Sequence, residues 1–226
     1  MKIGVIAEGH SDRAVIANIL MGITGLDESQ IQALRPIYAK DATDKALTNP
    51  LTYSNWSLVK EECEKRRLID GFLAIEGQDF VVIHLDTAEG ALFGVQKPAR
   101  ATQNYGAVVR QLTVDKINEW LKGELKEEVL YAVAVEEIDA WILTIYDAKA
   151  NSSVILNPKE KLNRVLGKAG IKSTAGYDNY LLISNPLSKT KEIAKGKFLE
   201  RNESLEAFYQ EILDKVLPKL ISNNLV

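Results

Sequence analysis

The sequence predicts an α/β fold: a mainly parallel sheet of about four strands, helices on both faces, and a helical C-terminal extension. Two observations carry this expectation. Over the first two thirds of the chain, apolar runs of strand length alternate with segments whose apolar residues recur at helical spacing. Beyond about residue 150 the strand-like runs stop and only helical patterns remain.

Each element has a local signal. "KIGVIAE" (2–8) is a continuous apolar run closed by Gly9, and Ser11 is placed to cap a helix over "DRAVIANIL". "LRPIYA" (34–39) reads as an edge strand, because Pro36 has no N–H to give to a ladder. Trp56 to about Ile75 reads as a helix with a break expected near Gly71. "FVVIHLD" (80–86) is the clearest central strand. Residues 87–104 form a loop long enough to bind something. "YGAVVRQLTVDKINEWLKGEL" (105–125) is helical, with Val108, Val109, Leu112, Ile117, Trp120 and Leu121 as the expected apolar face. "VLYAVAV" (129–135) is a fourth strand, and "EEIDAWILTIYD" leads from it into a helix. In "NPKEKLNRVLGKAG", Asn157 is placed as N-cap, Pro158 as first helical residue and Glu160 as capping-box partner. "ESLEAFYQEILDKVLPKLI" is an amphipathic closing helix.

A chain of 226 residues fits one large domain, divided here into an α/β part over 1–150 and a helical extension over 151–226 packed upon it. The single cysteine, Cys63, excludes a disulfide framework and a cysteine-based zinc site, and makes a reducing cytoplasm the expected compartment. No apolar run reaches the ~20 residues of a membrane span, and the N-terminus lacks a signal-peptide pattern. A net charge of −3 offers no global attraction to nucleic acid, so any such binding needs a local basic patch.

The chemistry lies at the strand ends. Ligands of an open parallel sheet sit at the carboxyl ends of its strands. There the sequence places Glu8 after the first strand, Asp86 after the third, and Glu136 with Glu137 after the fourth. Each acid alone is equally well read as a cap of the helix that follows it. Three strand ends that each deliver a carboxylate to one rim need a cation, and hard oxygen ligands suit Mg²⁺ or Mn²⁺.

Other residues are weaker signals. His10 stands in the first loop, where it could touch phosphate or be simply solvated. His84 shares the alternation of Val82 and Asp86 and so could point into the same cleft; the bland reading, which weighs more, is a hydrogen-bonded core histidine. Lys97, Arg100 and Arg110 follow Asp86, and "SKTKEIAKGKFLER" carries Lys189, Lys191, Lys195, Lys197 and Arg201. Either group could track a phosphate backbone, or be a solvated helix face. No nucleophile triad and no Gly-x₄-Gly-Lys-Ser/Thr phosphate loop is present.

"IAEGHSDRAVIANIL" resembles the opening of a TOPRIM domain, in which a glutamate and a glycine end the first strand. "VVIHLDTAEG" resembles the second TOPRIM motif, an apolar strand ending in an Asp-x-Asp pair. "VAVEEIDAWIL" resembles an acidic-Ala-Trp motif of uncharacterised TOPRIM-like families related to the OLD-type nucleases. The resemblance covers about residues 2–146. It implies a compact Rossmann-like unit whose acids hold Mg²⁺ for phosphodiester chemistry on DNA or RNA. Glu8 is then the proton-transfer group or a metal ligand, and Asp86 a ligand. One departure stands out: the second Asp of the pair falls on Ala88. Glu89, Glu136 or Glu137 could complete the set, and Lys97, Arg100, Arg110, Lys189 and His10 would meet nucleic acid. The rival reading is a degenerate module, without catalysis, that serves a protein partner or a second copy of itself. A phosphoacceptor receiver domain ranks last, because it wants a fifth strand and an acid pair after the first.

Overall fold

Four strands make one all-parallel sheet in the order β2-β1-β3-β4: β1 (Lys2–Ile6), β2 (Ile31–Arg35), β3 (Gln78–Asp86) and β4 (Val129–Ala134). The structure is a computed structural model that describes residues 1–37, 50–52, 54–149 and 151–223. Ile6 lies opposite Ile83 and Asp86 opposite Ala134, and the register of β1 shifts against β3 between Lys2 and Ile3 and against β2 between Val5 and Ile6. The chain steps from β1 to β2 on one side, then returns past β1 to β3. The connections therefore diverge between the carboxyl ends of β1 and β3, the place where open α/β sheets form a binding crevice.

Nine α-helices are present among the described residues: α1 (His10–Thr24), α2 (Trp56–Lys65), α3 (Arg67–Leu73), α4 (Tyr105–Trp120), α5 (Asp139–Tyr146), α6 (Pro158–Lys168), α7 (Tyr177–Ile183), α8 (Thr190–Gly196) and α9 (Glu203–Asn223). Strand alternation sorts them. Ile3, Val5, Phe80, Val82, Leu130 and Ala132 point to a core shared with α1 and α5–α9. Ile6, Val81, Ile83, Leu85, Tyr131 and Val133 point to a second core shared with α2–α4. Residues beyond 150 thus help to bury the first face of the sheet.

Several boundaries differ from the sequence reading. β2 ends before Pro36, which has no N–H to donate, and residues 38 and 39 of the expected strand lie outside the described residues. Helix α1 starts at His10 with Gly9 as its N-cap. Ser11 is not the cap, and its hydroxyl accepts from the Gly176 N–H at 3.1 Å. The break in 56–75 falls at Arg66, in a left-handed conformation with φ 53°, and Gly71 lies inside α3. The Glu62 carboxylate fixes that break by accepting from Leu68 N at 2.6 Å, in the first turn of α3. Val108 and Leu112 face solvent, and Tyr105, Val109, Val114, Ile117 and Trp120 form the buried side of α4. Pro158 does open α6 after Asn157, but the Asn157 side chain caps nothing, and Glu160 pairs with Arg164 instead. Helices α7 and α8, seven residues each, had too few periodic positions to be read in advance.

Candidate functional site

The alternation of β3 turns Phe80, Val82 and His84 toward the face that α1 covers. Helix α1 begins two residues after Glu8, so Asp12 sits in its first turn, above the end of β3. A Cβ at Gly9 would stand 3.0 Å from Asp12 Oδ2, so a larger residue there would push the Asp12 carboxylate aside. From the far side, the chain after β4 brings Glu137 and then Asp139, the first residue of α5.

These elements bring a set of acids around one histidine. Glu8 Oε1 accepts from the Asp86 backbone N–H at 2.7 Å, which ties the ends of β1 and β3 together. His84 Nε2 lies 3.3 Å from Asp86 Oδ1, and His84 Nδ1 lies 4.0 Å from Asp12 Oδ2. One ligand atom each from Asp12, His84 and Asp86 fall within 4.8 Å of one another. Asp139 Oδ1 accepts from the Tyr180 hydroxyl at 2.8 Å, and Glu137 Oε2 accepts from the Lys159 N–H at 3.3 Å.

Electrostatics follow from that crowding. Burial pushes the Glu8 carboxyl from 4.5 up to about 8, with the Asp86 charge adding to it. Burial likewise raises Asp12 from 3.8 to about 7; Asp86 and Asp139 raise it further, and His84 opposes. Asp86 is held well above the usual carboxylate range by burial, then by Asp139 and Glu137; a backbone hydrogen bond from Ile138 and the charge of Lys159 oppose. Asp139 is raised by burial despite its bond from Tyr180.

The donor set fits a cation. His84 is fully buried, yet neither ring nitrogen has a hydrogen-bond partner among the described residues; the approaches to Asp86 and Asp12 lack hydrogen-bond geometry. Asp86 Oδ1 is likewise without a donor. Buried polar atoms are nearly always satisfied, so an unpartnered His84 nitrogen facing the unpartnered Asp86 Oδ1, with Asp12 close by, marks a place where a ligand would fit. Two carboxylates and an imidazole are metal-ligating groups.

Not every expected residue comes to this point. Glu8 and Asp86 do, and Glu137 is close enough to act on Asp86. Glu136 takes a left-handed backbone (φ 65°) and is buried under Lys97 and Arg100, with contacts of 2.9 and 2.6 Å. Its carboxylate is therefore engaged by two cations. Glu89 and Ala88 are exposed. Arg110 pairs with Glu211 at 2.9 Å beside Tyr131, and Lys189 with Glu192 at 3.1 Å on the surface. His10 Nε2 contacts the Thr52 carbonyl at 3.1 Å, and burial lowers its pKa. The sequence reading missed Asp12, Asp139, Tyr180 and Lys159. Asp12 and Asp139 carried the signal of helix-start acids, indistinguishable from caps until the rim was assembled.

No protein-family model matches the chain, and no curated protein or solved structure does.

Proposed function

We propose that this chain is a divalent-metal-dependent phosphodiesterase that cleaves nucleic acid. The observation that carries the reading is the convergence of Asp12, His84 and Asp86 within 4.8 Å, beside Glu8, at the divergence point of the sheet. Asp12 offers the second carboxylate that Ala88 lacks, so the departure from the TOPRIM pattern need not leave the site incomplete. Asp12, His84 and Asp86 would hold the ion. A bound divalent ion supplies Lewis acidity toward a phosphoryl oxygen and lowers the pKa of coordinated water. Glu8, raised to about 8, is poised to exchange a proton near neutral pH, the property a general acid or base needs. Asp139, held by Tyr180, keeps negative charge behind Asp86 and so favours a cation in front of it. Lys159 is exposed and enters no ion pair among the described residues, which makes it the cation best placed to meet a phosphate at the mouth.

The choice of nucleic acid rests on the TOPRIM resemblance. Lys97 and Arg100 lie at the same rim but are neutralised by Glu136, and this observation favours the rival reading of a non-catalytic module. A cytoplasmic setting is proposed on the single, buried Cys63; no helix among the described residues is long and apolar enough to cross a membrane.

Cleavage decides between the two. Chelator-treated protein given Mn²⁺ or Mg²⁺ should cut single-stranded DNA, duplex DNA or RNA slowly, and faster with Mn²⁺. Glu8→Gln should lose roughly 10²–10⁴-fold in rate. Absence of cleavage on all three substrates with both ions, or a Glu8→Gln rate equal to wild type, sinks the catalytic reading and leaves the binding module.

A further inference from the structure

Among the first-row and alkaline-earth ions, which one the site takes is written in its third ligand. Carboxylate oxygens alone do not separate Mg²⁺ from Mn²⁺ by bond type, because both are oxygen-seeking. An imidazole changes this. Mg²⁺ dehydrates reluctantly and prefers oxygen, whereas Mn²⁺, Fe²⁺ and Zn²⁺ form progressively more favourable bonds to nitrogen.

The position of His84 is unusual for a purely structural histidine. It lies on the central strand β3, between Val82 and Asp86, with no solvent exposure. Phe80 and Val82, the β3 residues immediately before His84 on the α1 side, are buried and apolar. A buried histidine whose two nitrogens find no hydrogen-bond partner among the described residues carries an uncompensated desolvation cost. The carboxylates of Asp86 and Asp12 stand 3.3 and 4.0 Å from its two ring nitrogens, and no backbone carbonyl among the described residues is hydrogen-bonded to the ring. Each ring nitrogen therefore faces a carboxylate of the acid cluster, Nε2 that of Asp86 and Nδ1 that of Asp12.

The geometry points to a site selective for a first-row transition ion that accepts a nitrogen ligand, Mn²⁺ or Zn²⁺, bound through His84 nitrogen together with Asp12 and Asp86, in preference to Mg²⁺. This rests on the phosphodiesterase reading only in sharing its site; it concerns which ion binds and not what is then cleaved. Three protein ligands leave open positions for water or substrate, as catalytic rather than structural metal sites do. It also separates this chain from an all-carboxylate site, in which a nitrogen ligand has no place.

Metal binding to the full-length, chelator-stripped protein tests it without any substrate. By calorimetric titration Mn²⁺ and Zn²⁺ should each bind roughly 100-fold or more tightly than Mg²⁺ at one site, and His84→Gln should bring Mn²⁺ to within roughly tenfold of Mg²⁺. Pulsed EPR of the Mn²⁺-loaded wild type should show one directly bound nitrogen. That signature needs no variant, so it decides the matter even where His84→Gln fails to fold. Mn²⁺ bound without a nitrogen coupling, or Mg²⁺ bound as tightly as Mn²⁺, overturns the inference whether or not nucleic acid is cleaved. Nitrogen-coupled Mn²⁺ in a protein that cleaves nothing upholds it and removes the phosphodiesterase reading alone.

Discussion

Asp86 joins three neighbours at once: its N–H is given to Glu8, its carboxylate stands beside His84, and Asp139 presses on it from α5. Removing one charge there should be felt by the others. Acids whose pKa is raised on folding keep their protons to higher pH in the folded state than in the unfolded chain. Between the two values the folded state binds more protons, and stability falls as pH rises. For Glu8 that window runs from 4.5 to about 8, and for Asp12 from 3.8 to about 7. The melting temperature of the metal-free protein should therefore decline from about pH 4.5 to about pH 8. Asp86→Asn should flatten the decline, since it removes a charge that raises both groups. Scanning calorimetry in chelator would show it; a melting temperature that rises through this window counts against the cluster. At this scale the sequence was half readable. Glu8 and Asp86 announce themselves as acids closing apolar strands. Asp12, Asp139 and His84 take their meaning from packing: a first-turn acid and a strand histidine have commoner explanations until α1 is laid over β3.

Among the elements, β1, β3 and β4 were legible because each is a near-continuous apolar run; β2, Ile31–Arg35, mixes Gln32 and Arg35 with its apolar residues and was placed three residues late, and the strand order followed only once the crossovers were known. Helix ends were less legible, because side chains distant in sequence place them, as Glu62 does for the break at Arg66. Glycines within helices show the same dependence. Gly22, in α1, has no room for a side chain: a Cβ would meet Leu187 O and Ser188 C at 2.7 Å and Ser188 Cα at 2.8 Å. The backbone that it would strike is the short turn 185–188 between α7 and α8. Gly71, in α3, is exposed and open on every side. Gly→Ala in a helix is ordinarily favourable by about 0.5–1 kcal/mol. Gly71→Ala should raise stability by that amount, whereas Gly22→Ala should lower it by about 1–3 kcal/mol, as overpacking does. Urea denaturation of the two variants compares them directly. Equal gains would mean that α1 and the 185–188 turn are not pressed together as described.

Across the whole molecule, the helices after residue 150 complete the first core and hold the site from behind. Asn18 of α1 donates to Leu181 O and to Ser184 Oγ, both at 2.8 Å, and Tyr180 of α7 reaches Asp139. Helix α9 lays Leu205, Phe208, Ile212 and Val216 on that core at helical spacing. Phe208 stacks on Trp141 with ring centres 5.5 Å apart, and Trp141 Nε1 donates to Ser204 Oγ at 2.9 Å. On the opposite face of the sheet Trp56, Phe93 and Trp120 form their own aromatic group. The two cores share the strands, whose alternate side chains fill one or the other, and Arg110 of α4 pairs with Glu211 of α9 at the border between them. Loss of one core should therefore unfold the other, because a sheet stripped on one face cannot keep its ladders dry. Phe208→Ala should cost about 3–5 kcal/mol, the usual loss for a buried aromatic ring. In a Trp141→Phe background the remaining Trp56 and Trp120 report only on the far core. Their urea midpoint should move with Phe208→Ala by as much as the far-ultraviolet circular dichroism midpoint. A far-core signal that ignores Phe208→Ala would mean that the helices after residue 150 unfold apart from the α/β sheet.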